Sequence, residues 1–220
     1  MMVARKELDI GLEHLQELLV TMGKKVGQAL TASMEALKAL DAEEAKRIVR
    51  EDPRLNRIDE EISELSARLI ATQQPVAKDL RRILAGMKIS ADLERMGDLS
   101  VDIAKVVLRL EGQTLIKPLV DLPLMADIVV TMIDESIRCY IEENVDLAYK
   151  MAKDDDQVDT MFAQIFRELF ELMASQPTTI GQSMLLCFVA RYIERIADHA
   201  TNIGESVVYL VMGKRPDLNA

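Results

Sequence analysis

The sequence predicts an all-α protein built from two tandem homologous three-helix bundles related by a pseudo-twofold repeat, and three observations support this fold class. Chain breakers are scarce, since the 220 residues contain 9 Gly and 6 Pro, about 7% where about 12% is usual. Apolar residues recur every three or four positions along the longest unbroken stretches, which is helical spacing. A block of residues in the first half returns in the same order in the second half, which indicates a duplicated unit.

Turn residues divide the first half into three helical stretches, predicted over residues 6–40, 41–72 and 75–110. Asp41 with Glu44 gives the D-x-x-E pattern that starts a helix. Asp52-Pro53 predicts a fresh N-cap followed by a kink within the second stretch. The sequence Gln73-Gln74-Pro75 then separates the second stretch from the third.

The second half repeats this pattern after a linker predicted over residues 113–123, which contains Pro118 and Pro123. Helices are predicted from there to about residue 143, then over 145–175 and 177–212. The two units are therefore predicted to occupy residues 1–113 and 114–220.

The two halves match at several places in the same order. Residues 93–98 read Leu-Glu-Arg-Met-Gly-Asp, and residues 193–198, 100 positions later, read Ile-Glu-Arg-Ile-Ala-Asp. Gln74-Pro75 corresponds to Gln176-Pro177, and the segment 52–56 corresponds to 155–159. Agreement in order at three places favours duplication over chance.

The third helix of each unit carries an apolar seam at alternating spacings of three and four, as helices in bundles do. Such seams predict that each unit is an antiparallel three-helix bundle closed by short turns. In the first unit the seam is Ile89, Leu93, Met96, Ser100, Ile103, Val107 and Leu110, and in the second it is Leu186, Val189, Ile193, Ile196, Ala200, Ile203, Val207 and Leu210.

Composition excludes several function classes. The formal net charge of −10 argues against nucleic-acid binding, which needs a concentrated basic surface. The longest uncharged apolar run, near residues 184–190, is too short to cross a bilayer. Cys139 and Cys187 lack the spacing of a metal or disulfide framework. We therefore expect a cytoplasmic protein.

Acidic ridges flank both seams. Glu94, Asp98 and Asp102 recur every four residues, and the second copy carries Glu194, Asp198 and Asn202 at the matching positions. Like charges at this spacing destabilise a helix, whereas closely spaced carboxylates are the usual ligands of hard divalent metals. We therefore predict two metal sites facing an outer groove; the alternative is a solvated acidic face paired with Arg95 and Arg195.

Other candidate catalytic or binding motifs give weaker signals. The sequence contains no H-E-x-x-H or G-x-x-x-x-G-K-[ST] motif. His199 follows Asp198 directly, so it is either a ligand at the rim of that site or an ordinary surface histidine. Lys78, Arg81 and Arg82 either dock an anionic group at a helix N-terminus or pair with nearby carboxylates.

The segments 75–83 (Pro-Val-Ala-Lys-Asp-Leu-Arg-Arg-Ile), 92–98 and 192–203 closely resemble the PhoU family of phosphate-transport regulators. The resemblance covers nearly the whole chain, duplication included. It implies a non-enzymatic cytoplasmic regulator, peripheral to the membrane and often dimeric or of higher order. Such a regulator would couple the ATP-binding subunit of a phosphate ABC transporter to a sensor histidine kinase, repressing the starvation response when phosphate is plentiful.

The resemblance also implies metal clusters, of iron or zinc among others, held by an E(D)-x-x-x-D motif in each repeat. This motif falls on Glu94 with Asp98 and on Glu194 with Asp198. Oxygen ligands make magnesium, manganese or iron more natural than zinc, and Asp102 against Asn202 gives the first site one more negative charge. Two other functions stay open: a carboxylate-metal enzyme, and a helical scaffold without metal.

Overall fold

The computed structural model describes residues 2–51, 53–214 and 216–219, and within these ranges it contains helices and no β-strand. This confirms the all-α prediction. A single turn of 3₁₀ helix, Pro177–Thr179, precedes the last helix. The α-helices are α1 (Met2–Ala39), α2 (Ala42–Glu51), α3 (Pro53–Gln73), α4 (Ala77–Arg109), α5 (Asp121–Glu142), α6 (Val145–Ser175) and α7 (Ile180–Met212).

The first unit packs α1, α3 and α4 together, with the short α2 against α1 and α4, and the second packs α5, α6 and α7. Every residue of both predicted seams is buried, which confirms the role of the seams as bundle cores. The third helices of the units, α4 and α7, also pack against each other, and α1 packs against α5. The buried apolar residues consequently form one continuous core.

Local polar residues set several of the helix boundaries. The Glu44 N–H donates to Asp41 Oδ1 at 3.0 Å, so the D-x-x-E start signal is confirmed. Asn144 caps α6 in the same way, accepting from the Leu147 N–H at 3.1 Å. A break between α2 and α3 separates residues 51 and 53, where Asp52-Pro53 predicted a kink, although Asp52 itself lies outside the described residues.

The predicted linker 113–123 extends too far at its C-terminal end. Helix α5 begins at Asp121, so Pro123 lies within its first turn and the connection ends at residue 120. Proline is compatible with this position because the first N–H groups of a helix have no intrahelical acceptor.

The buried side chain of Gln182 on α7 holds the linker against the second unit. Its Oε1 accepts from the Ile116 N–H at 2.7 Å, and its Nε2 donates to the Thr114 carbonyl at 3.1 Å. These bonds satisfy backbone groups that would otherwise need water.

None of the described helices combines the length and the apolar character that a bilayer span needs.

Candidate functional site

The ridge on α4 lies partly exposed and is paired with cations of its own helix. Spacing of four residues places Glu94, Asp98 and Asp102 on one face. Arg95 bridges two of them, with Nε 3.5 Å from Glu94 Oε2 and Nη1 3.1 Å from Asp98 Oδ2. Lys105 Nζ lies 2.8 Å from Asp102 Oδ1. The alternative of a paired acidic face therefore describes much of this ridge.

The ridge on α7 is placed differently. Glu194 is buried, whereas Asp198 and Asn202 are partly exposed. Arg191 donates to Glu194 Oε1, but Glu194 Oε2 is buried without a hydrogen-bond partner among the described residues. An unpartnered buried carboxylate oxygen is costly, so this site is less well satisfied than the one on α4.

Two acids on α6, Asp155 and Asp159, lie near the α7 ridge. They were not among the residues predicted for a metal site. Asp155 is buried and its Oδ1 lacks a hydrogen-bond partner within the described part of the chain. Burial, followed by the charges of Asp198, Asp159 and Glu194, raises the pKa of Asp155 to about 7. We call Asp155, Asp159, Glu194 and Asp198 the acidic cluster.

Glu194 and Asp198 of the acidic cluster show similar shifts. Burial and the charge of Asp198 raise the pKa of Glu194 to about 7, although Arg191 acts in the opposite direction. Burial also raises the pKa of Asp198, against the effect of Arg191. These shifts have the signature of several carboxylates sharing one poorly solvated space.

The chemistry of the acidic cluster suits a hard cation. Its donors are carboxylate oxygens, two of them buried and unpartnered, and a divalent ion would relieve their mutual repulsion. In the arrangement observed, however, no three His, Cys, Asp or Glu side chains of the described ranges converge as metal ligands. The metal sites at Glu94, Asp98 and Asp102 and at Glu194, Asp198 and Asn202 stay predictions.

The two ridges differ in their surroundings as well as in the charge of Asp102 against Asn202. The sequence favoured tighter cation binding on α4 because Asp102 is an acid where α7 has Asn202. The structure places Arg95 and Lys105 on the α4 acids and two additional acids beside the α7 ridge. The relative affinity of the two ridges for a cation stays a prediction.

The remaining sequence candidates are engaged elsewhere. His199 Nδ1 lies 3.0 Å from Asp92 Oδ1 and so links α7 to α4. Lys78 Nζ lies 2.6 Å from Glu143 Oε2, and Arg82 pairs with the other oxygen of the same carboxylate. These two cations hold the pKa of Glu143 below its usual value although burial raises it. Arg81 Nε instead donates to the Leu210 carbonyl at 3.2 Å. Pairing with a carboxylate therefore describes Lys78 and Arg82.

Comparison with known families finds the same duplication. The PhoU domain matches this chain twice, over residues 19–107 and 122–207. The predicted boundary between residues 113 and 114 falls in the gap between the two matches, and its position stays a prediction.

Similar proteins cover the full length of the chain. A phosphate-specific transport system accessory protein PhoU homolog from Clostridium acetobutylicum is 40% identical over 218 residues, which is 99% of this chain and 100% of that protein. Another from Zymomonas mobilis is 36% identical over 96% of this chain and 89% of its own length.

Two crystal structures share the fold. PhoU from Pseudomonas aeruginosa superposes with a TM-score of 0.88 at 32% identity, covering 94% of this chain and 99% of its own. The phosphate transport system regulatory protein PhoU from Streptococcus pneumoniae gives a TM-score of 0.89 at 30% identity, covering 96% and 99%.

Proposed function

Because this chain belongs to the PhoU family, we propose that it regulates phosphate uptake by binding the ATP-binding subunit of a phosphate ABC transporter. Family membership, extending across both repeats and the whole chain, is the observation that carries the proposal. In this role the chain acts without catalysis on the cytoplasmic face of the membrane, as a homodimer or higher oligomer. It passes the state of the transporter to a sensor histidine kinase.

The acidic cluster of the second unit supports a metal-associated form of this regulator. Asp155, Asp159, Glu194 and Asp198 would hold an iron, manganese or magnesium ion through oxygen ligands, with zinc the less natural occupant. The bound ion would neutralise the carboxylates and join α6 to α7. Glu94, Asp98 and Asp102 would form the weaker site, since Arg95 and Lys105 compete for them.

Deletion tests the regulatory role. A strain lacking this protein is expected to express phosphate-starvation genes in phosphate-rich medium, because the kinase no longer receives the repressing signal. Transcript levels of these genes, measured with and without a plasmid copy of the protein, provide the readout. Normal repression in the deletion strain contradicts the proposal.

Elemental analysis tests the metal sites. Protein purified from its native source without chelator is expected to contain transition or alkaline-earth metal, and the double variant Asp155→Asn, Asp198→Asn is expected to lose most of it. Glu94→Ala with Asp98→Ala is expected to lose the smaller fraction. Glu171→Gln, an exposed change on α6, is the control. Undiminished metal in the Asp155 and Asp198 variant excludes ligation by the acidic cluster.

A carboxylate-metal enzyme is the less supported alternative. The relatives that match over nearly the whole chain are named as transport accessory proteins and not as enzymes. Metal-dependent turnover that disappears in the Asp155 and Asp198 variant would favour this alternative over a regulator.

A further inference from the structure

Helix α6 exposes a row of aromatic side chains to solvent. Phe162, Phe166 and Phe170 follow one another at spacings of four, with ring centroids 5.7 and 4.9 Å apart. Phe162 packs against the core, but Phe166 is 39% exposed and Phe170 is 55% exposed. A monomeric protein gains nothing from exposing a contiguous row of this kind, and such patches mark interaction sites.

Helix α7 exposes a second apolar row beside the first. Ile180, Met184 and Phe188 also recur every four residues, and they are 43%, 49% and 45% exposed. Residues 176–179 connect α6 to α7, and the two helices pack against each other, so the two rows lie on neighbouring helices. We call Phe166, Phe170, Ile180, Met184 and Phe188 the aromatic surface.

The acidic cluster lies at one end of the aromatic surface. Asp155, Asp159, Phe162, Phe166 and Phe170 are separated by four, three, four and four residues, which keeps them on one face of α6. On α7, Met184 precedes Asp198 by two heptads and therefore lies on the same stripe of that helix. The charges of Glu194 and Asp198 act on Asp155, so the acidic ends of both rows meet.

Together these features define an elongated surface with an apolar end and an anionic end. From Asp155 to Phe170 it runs 15 residues of helix, about 22 Å. At the anionic end the buried oxygens Asp155 Oδ1 and Glu194 Oε2 have no hydrogen-bond partner among the described residues. Arg191 already pairs with Glu194, and the charge of Arg195 acts on Glu194 and Asp198, so two cations face the four acids of the cluster.

We propose that, in the metal-free protein, the aromatic surface and the acidic cluster bind an amphipathic helix of a partner protein, with aliphatic side chains at its centre and Lys or Arg at one end. A metal ion bound by the acidic cluster would compete with this helix. The inference deepens the proposed regulatory function and rests on it for the identity of the partner. Apolar side chains spaced at i, i+3 and i+4 on the partner helix can pack against rows of exposed apolar side chains. The Lys or Arg residues at one end of the helix supply positive charge that complements the negative charge of the acidic cluster.

Charge disfavours the two other occupants. A second copy docked through the same surface would bring another acidic cluster, and each copy carries a net charge of −10, so the two copies repel each other. An anionic membrane surface is likewise repelled by the acidic cluster. A basic helix satisfies both ends of the surface at once.

Synthetic helices test the proposal directly. The first probe is a peptide of about 18 residues, long enough to span the surface, with Leu on one face and Lys in its last turns. The second has Glu in place of each Lys. Fluorescence anisotropy with chelator present is expected to show binding of the Lys peptide at least tenfold tighter than the Glu peptide.

Variants assign the binding to the surface. Phe166→Ser with Phe170→Ser is expected to weaken the Lys peptide about tenfold or more, as loss of aromatic anchors does. Asp159→Asn with Asp198→Asn is expected to reduce the preference for Lys over Glu. Val120→Ser with Leu124→Ser removes two exposed apolar residues at the start of α5, one directly before it and one in its first turns, and is expected to leave affinity unchanged. Circular dichroism verifies that each variant is folded.

The outcomes separate this inference from the regulatory proposal. Equal affinity for the two peptides, or unchanged affinity in the Phe166 and Phe170 variant, overturns the docking surface. The docking surface is also overturned if wild type forms a dimer that the Phe166 and Phe170 variant abolishes. The same holds if wild type binds anionic vesicles and this variant does not. A deletion strain with normal repression refutes the regulatory role while peptide binding stands. Capture of the transporter's ATP-binding subunit by wild type, lost in the Phe variant, supports both.

Discussion

The surroundings of Asp155 are unfavourable for a charged carboxylate. It is buried on α6, one of its oxygens lacks a partner among the described residues, and three acids of the cluster act on it. A carboxyl group in such a place is retained at a cost to the metal-free protein. That cost indicates selection for something other than the stability of the isolated chain.

The raised pKa of Asp155 predicts the pH dependence of stability. Between the usual value near 4 and the folded value of about 7, the folded state binds a proton that the unfolded state has released. Stability contributed by this group is therefore full at low pH and lost as pH rises to 7. In metal-free protein, Asp155→Asn is expected to favour stability more at pH 8 than at pH 5, by on the order of 2 kcal/mol.

Urea unfolding at both pH values, with chelator present, measures this difference. Glu171→Gln changes the net charge equally at an exposed place on α6 and is the matched control. An equal effect of Asp155→Asn on stability at the two pH values would show that the carboxylate is favourably solvated after all.

At the scale of the helices, sequence patterns predicted the elements well where the determinants are local. Asp41 caps α2 as the D-x-x-E pattern indicated, and both seams are buried because 3–4 spacing reports the buried face directly. Pro123 misled the prediction since proline is equally compatible with a linker and a first helical turn. Whether Pro123 lies in the linker or in α5 depends on where the chain rejoins the core.

The candidate site was only half predictable for a related reason. The ridge on α7 is visible in its own i, i+4 spacing, and Asp155 and Asp159 have that spacing too. Their meeting depends on how α6 packs on α7, which spacing within one helix does not report. The pairing of Arg95 with both Glu94 and Asp98 likewise depends on side-chain conformation.

Close packing between α1 and α5 gives a prediction at the scale of elements. A Cβ added to Gly23 would lie 2.5 Å from Ile137 Cγ1, whereas one added to Gly27, a turn later on α1, meets nothing within 4 Å. Gly23→Ala is therefore expected to destabilise by about 1–3 kcal/mol through overpacking. Gly27→Ala is expected to stabilise by about 0.5–1 kcal/mol because alanine favours the helix.

Thermal and urea unfolding of the two variants provide the comparison. Equal effects of both substitutions would mean that α5 shifts to accommodate the methyl group, and that the contact between the units is loose.

At the scale of the molecule, the two units share their core. Helices α4 and α7 pack together, Asp92 bonds His199 across this contact, and the buried apolar residues are continuous. We expect one cooperative unfolding transition, with equal midpoints by circular dichroism and by fluorescence from a label on either unit. Two separate midpoints would show that the units fold independently.

The packing of α4 on α7 also bears on how the duplicated chain arose. A single unit would leave the outward side of its third helix bare, and a second copy of that unit offers the matching surface. The pseudo-twofold arrangement thus has the form of an ancestral homodimer whose subunits became covalently joined, after which each half was free to diverge. The contrast between a cation-paired ridge on one half and an uncompensated acidic cluster on the other is such a divergence, one that a symmetric assembly of identical subunits could not have acquired.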